Sequence, residues 1–94
     1  MNDLGVRLRE LREAQGLLLR QVAAQIDVDT ALMSKLERGE RKPQREHILK
    51  LAGVLKANEK ELLTLWLAER VTEILENEPL AEEALRIAEK KIKN

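Results

Sequence analysis

The sequence predicts an all-α protein, and three observations carry that reading. Apolar residues recur at helical spacing along nearly the whole chain, no stretch alternates with a period of two, and turn signals separate the periodic segments. Leu4, Leu8 and Leu11 share one face of a first helix, with Arg7, Arg9, Glu10 and Arg12 between them, and Gly16 is placed to end it. Leu19, Val22, Ala23 and Ile26 make a short second helix, followed by the turn Asp27-Val28-Asp29. Asp29 can cap a third helix by accepting a free backbone N–H of its first turn. That helix carries Leu32, Met33 and Leu36 and stops at Gly39. Arg41-Lys42-Pro43 is a basic loop through which Pro43 forbids helix continuation. A fourth helix packs through Ile48, Leu49, Leu51, Ala52 and Leu55. Asn58-Glu59-Lys60-Glu61 reads as a capping box opening a fifth helix, which continues through Trp66, Val71, Ile74 and Leu75. Pro79 falls where a first-turn proline is tolerated, and a sixth helix runs toward Lys93.

Composition narrows the function. A chain of 94 residues suits one small domain with an appendage, and its modest core makes self-association a natural source of further burial. There is no cysteine, which excludes disulfides and thiolate metal sites, and the one histidine, His47, cannot build a metal cluster alone. His47 is expected on the exposed side of the fourth helix. No apolar run approaches the roughly 20 residues that span a bilayer. Met1-Asn2-Asp3-Leu4 lacks the basic flank and apolar stretch of a secretory leader, so a cytoplasmic protein with no membrane partner is expected. With no glycine-rich phosphate loop and no Ser, His and carboxylate arrangement of recognisable spacing, neither catalysis nor a cofactor is expected. Net charge is zero, yet residues 1–56 hold 11 Lys and Arg against 8 Asp and Glu, and residues 57–94 hold 6 against 9. The front is mildly basic and the tail mildly acidic.

Two short helices joined by a tight turn and followed by a basic loop form the local pattern of a helix-turn-helix. The stretches LRELREAQGL, QVAAQIDVDTALMSKLERGERKP and ILKLAGVL occur in order within residues 4–56, and SKLERGERKP is the most diagnostic of them. This region resembles the phage-repressor and Cro type of helix-turn-helix regulator, the XRE type. The resemblance implies a lambda-repressor-like domain of about five helices over residues 1–67. The long end of the fifth helix and the sixth then form a C-terminal extension, 68–94. It also implies that the helix at about 29–38 enters the major groove of double-stranded DNA, with Thr30, Ala31, Leu32, Ser34 and Lys35 toward base edges. Hydroxyls and an ammonium can bond base edges, and Ala31 or Leu32 can touch a thymine methyl. Arg38, Arg41 and Lys42 would meet phosphates. An ion pair between Arg12 and Glu37 is implied as well, holding the third helix against the first. The sequence departs from the pattern twice. Leu18 and Leu19 stand where the family carries a polar cap and a phosphate-contacting glutamine, a contact Arg20 can replace. Asp27 stands where glycine is common, and aspartate tolerates left-handed backbone better than most residues.

The tail holds more apolar surface than a monomer of this size readily buries. Trp66, Val71, Ile74, Leu75, Leu80 and Leu85 are assigned to a two-fold dimer interface, since most soluble oligomers are two-fold, with Trp66 also readable simply as core. The plainer alternative is a monomer with the tail folded back on its own domain. The sequence thus predicts a homodimeric transcription regulator on an inverted-repeat operator, a repressor or autoregulator such as a restriction–modification controller or an antitoxin. The alternative is an adaptor that keeps the helix-turn-helix scaffold and binds a protein partner through its acidic, leucine-rich C-terminal helices.

Overall fold

The computed structural model describes residues 3–94, so the sequence expectations for Met1 and Asn2 lie outside it. The helices are α1 (Asp3–Ala14), α2 (Leu19–Gln25), α3 (Thr30–Arg38), α4 (Arg45–Val54), α5 (Glu59–Leu75) and α6 (Ala81–Lys93), with no strand among the described residues. The protein is all-α.

Local chemistry sets the boundaries. After α1 the chain turns through Gly16 at φ +68°, and the Leu17 N–H returns to the Arg12 carbonyl at 3.1 Å. Between α2 and α3, Asp27 adopts φ +59°, the left-handed geometry for which glycine is the usual solution, and the Val28 N–H returns to the Ala23 carbonyl at 3.0 Å. Asn58 Oδ1 accepts the Glu61 N–H at 2.9 Å and starts α5. Only that half of the expected box is used, because the Glu61 carboxylate turns to Arg7 Nε at 2.8 Å.

The core is one cluster running from Leu4 and Leu8 through Val22, Ala23, Ile26, Met33 and Leu36 to Ile48, Leu51, Leu55, Leu62 and Trp66. In it α1 packs on α3 and α5, α2 on α3 and α4, and α4 on α5. Three expectations need correction. Leu49 is exposed, because Ile48, Leu51 and Leu55 already fill the inward stripe of α4. His47 is half-buried rather than exposed: its Nδ1 accepts the Gln44 N–H at 3.2 Å and caps α4. Pro79 lies in the preceding turn, since α6 starts only at Ala81 with Leu80 as its cap.

The tail does not fold back over the core. α6 has no buried residue, and the molecule measures 43 × 26 × 21 Å. Its radius of gyration is 15.0 Å, where a compact chain of this length would have about 12 Å.

Candidate nucleic-acid interface

α3 has one face built for the core and one left outside. Met33, Leu36 and Glu37 point inward, while Thr30, Ala31, Lys35 and Arg38 are exposed and Ser34 is half-buried beside them. The helix is capped at both ends. Asp29 Oδ1 accepts the Leu32 N–H at 2.6 Å, and Gly39, at φ +74°, lets the Glu40 N–H reach the Lys35 carbonyl at 2.9 Å. Leu32 is packed partly against the core, yet it lines an open concavity with Asp29, Ala31, Lys35 and Arg41. One surface thus holds a methyl, an isobutyl, an ammonium and a guanidinium.

Beside the core packing of Met33 and Leu36, a buried ion pair orients this face. Arg12 of α1 grips Glu37 with two parallel bonds, Nε to Oε2 at 2.7 Å and Nη2 to Oε1 at 3.1 Å. Its remaining Nη1 donates to the Leu17 carbonyl at 3.0 Å. The side chains are only 15% and 6% exposed, so the pair is largely shielded from water and helps to fix the roll of α3 about its axis. The hydrogen bond that Arg12 donates to Glu37 raises the Arg12 pKa above its ordinary value, against a smaller opposing effect of burial.

The basic side chains around α3 fall into two sets. Arg38 pairs with Glu40 at 2.6 Å and Lys42 with Glu73 of α5 at 2.6 Å, with three of the four side chains more than half exposed and Glu73 about a third. Such exposed pairs are worth roughly 0–1 kcal/mol, so a phosphate can displace either carboxylate. Arg20 at the start of α2, Lys35 and Arg41 are exposed and carry no ion pair among the described residues. At Leu18, where a polar cap is missing, Gln21 Oε1 accepts the Leu18 N–H at 2.8 Å and starts α2 from inside the helix.

The loop carrying Arg41 and Lys42 is anchored from α5. Pro43 is buried, and its carbonyl accepts Trp66 Nε1 at 2.7 Å. This corrects the assignment of Trp66 to a dimer interface: the indole is buried in the domain core and its one polar atom is satisfied there. Val71, Ile74, Leu80 and Leu85 are exposed and Leu75 is half-buried. Two residues that sequence reasoning passed over meet the same ring. The guanidiniums of Arg45 and Arg70 lie 5.2 and 4.9 Å from its centroid. The i, i+4 spacing of Trp66 and Arg70 was a readable signal for one of them; nothing local points to Arg45. Among the described residues there is no group of His, Cys, Asp or Glu placed to hold a metal ion, and no helix is long and apolar enough to cross a membrane.

The chain matches the helix-turn-helix domain family over residues 3–65. It is 41% identical over 64 residues to the uncharacterized HTH-type transcriptional regulator RghRB of Bacillus subtilis (strain 168). That alignment takes in 67% of this chain but 46% of the relative, so the match spans about half the length of RghRB. In three dimensions it resembles the crystal structure of the clp gene regulator ClgR from Corynebacterium glutamicum, with a TM-score of 0.61 at 25% identity, over 94% of this chain and 88% of that one. With two capped helices set around the Asp27 turn, an Arg12–Glu37 pair locking the second of them, and a family match covering two thirds of its length, the chain belongs to the helix-turn-helix domain family.

Proposed function

We infer that the protein is a sequence-specific DNA-binding transcription regulator that reads the major groove with α3. The observation that carries this reading is the outward face of α3, held in fixed roll by the buried Arg12–Glu37 pair and flanked by the exposed Arg20 and Arg41. Thr30, Ala31, Leu32, Ser34 and Lys35 meet base edges. Arg20, Arg38, Arg41 and Lys42 meet phosphates and set orientation. The protein acts as a homodimer on an inverted repeat, as a repressor or autoregulator of the controller or antitoxin kind. Support for the dimer comes from apolar side chains that the monomer leaves in water: Ile74 is 76% exposed and Ile92 83%, with Val71, Leu80 and Leu85 also outside. The same exposure favours a second reading, an adaptor whose C-terminal helices bind a different protein.

Selection of bound sites from random duplexes, followed by titration of Lys35→Ala on the selected and a scrambled site, separates the two. Loss of a base contact costs about 1–3 kcal/mol on the selected site and flattens discrimination at one base pair per half-site. A wild-type protein with no preference between the duplexes would sink the specific-reader proposal and advance the adaptor.

A further inference from the structure

Where the α3–α4 loop meets α5, two arginines share one tryptophan. Arg45 opens α4 and Arg70 lies one turn beyond Trp66 on α5. Both guanidiniums sit over the indole, at 5.2 and 4.9 Å from its centroid, and both residues are otherwise exposed. The ring itself is fixed, being buried and bonded through Nε1 to the Pro43 carbonyl at 2.7 Å. A guanidinium stacked on a ring face keeps its N–H donors in its own plane, where they stay open to a second partner. The cation–π contact therefore holds these two cations at the ring without occupying their N–H donors.

Their surroundings leave them uncompensated. Neither carries an ion pair among the described residues, in contrast to Arg7, Arg9, Arg12, Arg38 and Arg86. The neighbouring carboxylates of α5 are engaged elsewhere: Glu69 Oε1 accepts the Leu4 N–H at 2.9 Å, and Glu73 holds Lys42. Two cations held on one ring thus stand at the loop that follows α3, since Trp66 bonds the Pro43 carbonyl and Arg45 comes three residues after Lys42. Planar forked donors of this kind match the oxygens of a phosphate diester.

We propose that Arg45 and Arg70, stacked on Trp66, form a clamp on the DNA backbone that carries the phosphate footprint beyond the helix-turn-helix and onto α5. This rests on the DNA-binding reading above. Arg70 lies outside the region matched to the family, residues 3–65. The clamp reads no sequence; it adds affinity and fixes the tilt of the domain on the duplex.

The test is a salt titration of full-length Arg45→Ala, Arg70→Ala and the double variant on a selected and a scrambled duplex. Removing one phosphate-binding side chain lowers the salt slope by about one, and the double variant lowers it by about two. Both duplexes should weaken by the same factor, because the clamp grips the backbone. Trp66 is the only tryptophan, so its fluorescence reports on this site alone. It should change when wild type meets either duplex, and that change should shrink in Arg70→Gln, a variant that keeps a long polar side chain should the alanine variant fail to fold. If the variants keep the wild-type slope while Arg41→Ala lowers it, the clamp is wrong and the DNA-binding reading survives. If the variants lose self-association by light scattering with the slope unchanged, the pair faces a protein and the clamp is equally wrong. Should wild type bind neither duplex, the functional reading falls and takes the clamp with it.

Discussion

Replacing Glu37 by alanine removes the carboxylate that grips Arg12 and leaves a guanidinium only 15% exposed without its main partner. Breaking a buried pair by deleting one member costs about 3–5 kcal/mol, since a charge is stranded out of water. Two features place this site at the low end. Arg12 keeps its bond to the Leu17 carbonyl at 3.0 Å, and its partly open edge lets water approach. The expected loss is therefore about 3 kcal/mol. In a domain of this size 1 kcal/mol moves Tm by about 4–8 °C, which makes the shift about 12–24 °C. Thermal melts followed by circular dichroism measure it. Adding Arg12→Met to Glu37→Ala should recover part of the loss, because a well-packed apolar side chain replaces a stranded charge. The pH dependence has a definite sign. A pKa raised in the folded state adds stability that is lost only as pH climbs through the folded value. For Arg12 that window lies far above neutrality, so its charge contributes no slope between about pH 6 and about pH 9. A Glu37→Ala destabilisation under about 0.5 kcal/mol would refute the reasoning, since that is the scale of an exposed pair.

Arg41→Ala should weaken binding to all duplexes about equally and lower the salt slope by about one, read by the same titrations as Lys35→Ala; a loss confined to the selected site would move Arg41 to the base-reading set. Deleting residues 77–94, or introducing Ile74→Asp, should reduce self-association and operator affinity together while changing Tm by only a few degrees, roughly the 1 kcal/mol expected where little is buried. Light scattering coupled to size-exclusion chromatography measures the mass, and a full-length monomer that binds its site tightly at micromolar concentration would end the dimer proposal. Asp27→Val should cost about 1–2 kcal/mol, because a branched side chain tolerates left-handed backbone poorly, whereas Asp27→Gly should hold or gain stability. Equal denaturant midpoints for the two would show that the +59° backbone carries no strain.

The order of helices was legible because each boundary carries its own chemistry. Gly16 and Gly39 supply left-handed backbone, and Asp29 and Asn58 supply capping oxygens, so the signals sit within a turn of what they control. The outward face of α3 was legible for the same reason, since Met33 and Leu36 mark its inward side. Leu49 and Leu51 look alike in sequence, and only the way α4 lies on α5 decides which is buried. Trp66 reads equally well as core or as interface, because hydrophobicity does not state which surface an aromatic meets. The Lys42–Glu73, Leu4–Glu69 and Arg45–Trp66 contacts join distant parts of the chain, where no local period exists to reveal them.

Those distant contacts share one element. Trp66 bonds the Pro43 carbonyl, Glu73 holds Lys42, and Glu69 accepts the first amide of α1's core face, so the second half of α5 is tied both to the loop after α3 and to the start of the domain. The same stretch presents Leu67, Val71 and Ile74 to solvent. In the dimer proposed above, a second copy seated on that stripe would press on the helix that positions Arg41, Lys42 and Arg70. The separation of the two α3 helices would then be set by a continuous helix rather than by a tether, as two half-sites about one helical turn, roughly 34 Å, apart require. α6 stands differently. It begins beyond the turn at Asn77, φ +62°, and buries nothing in its own domain. In the proposed dimer its apolar residues would strengthen association without moving the recognition helix, and α5 would be the element that couples assembly to the geometry of binding.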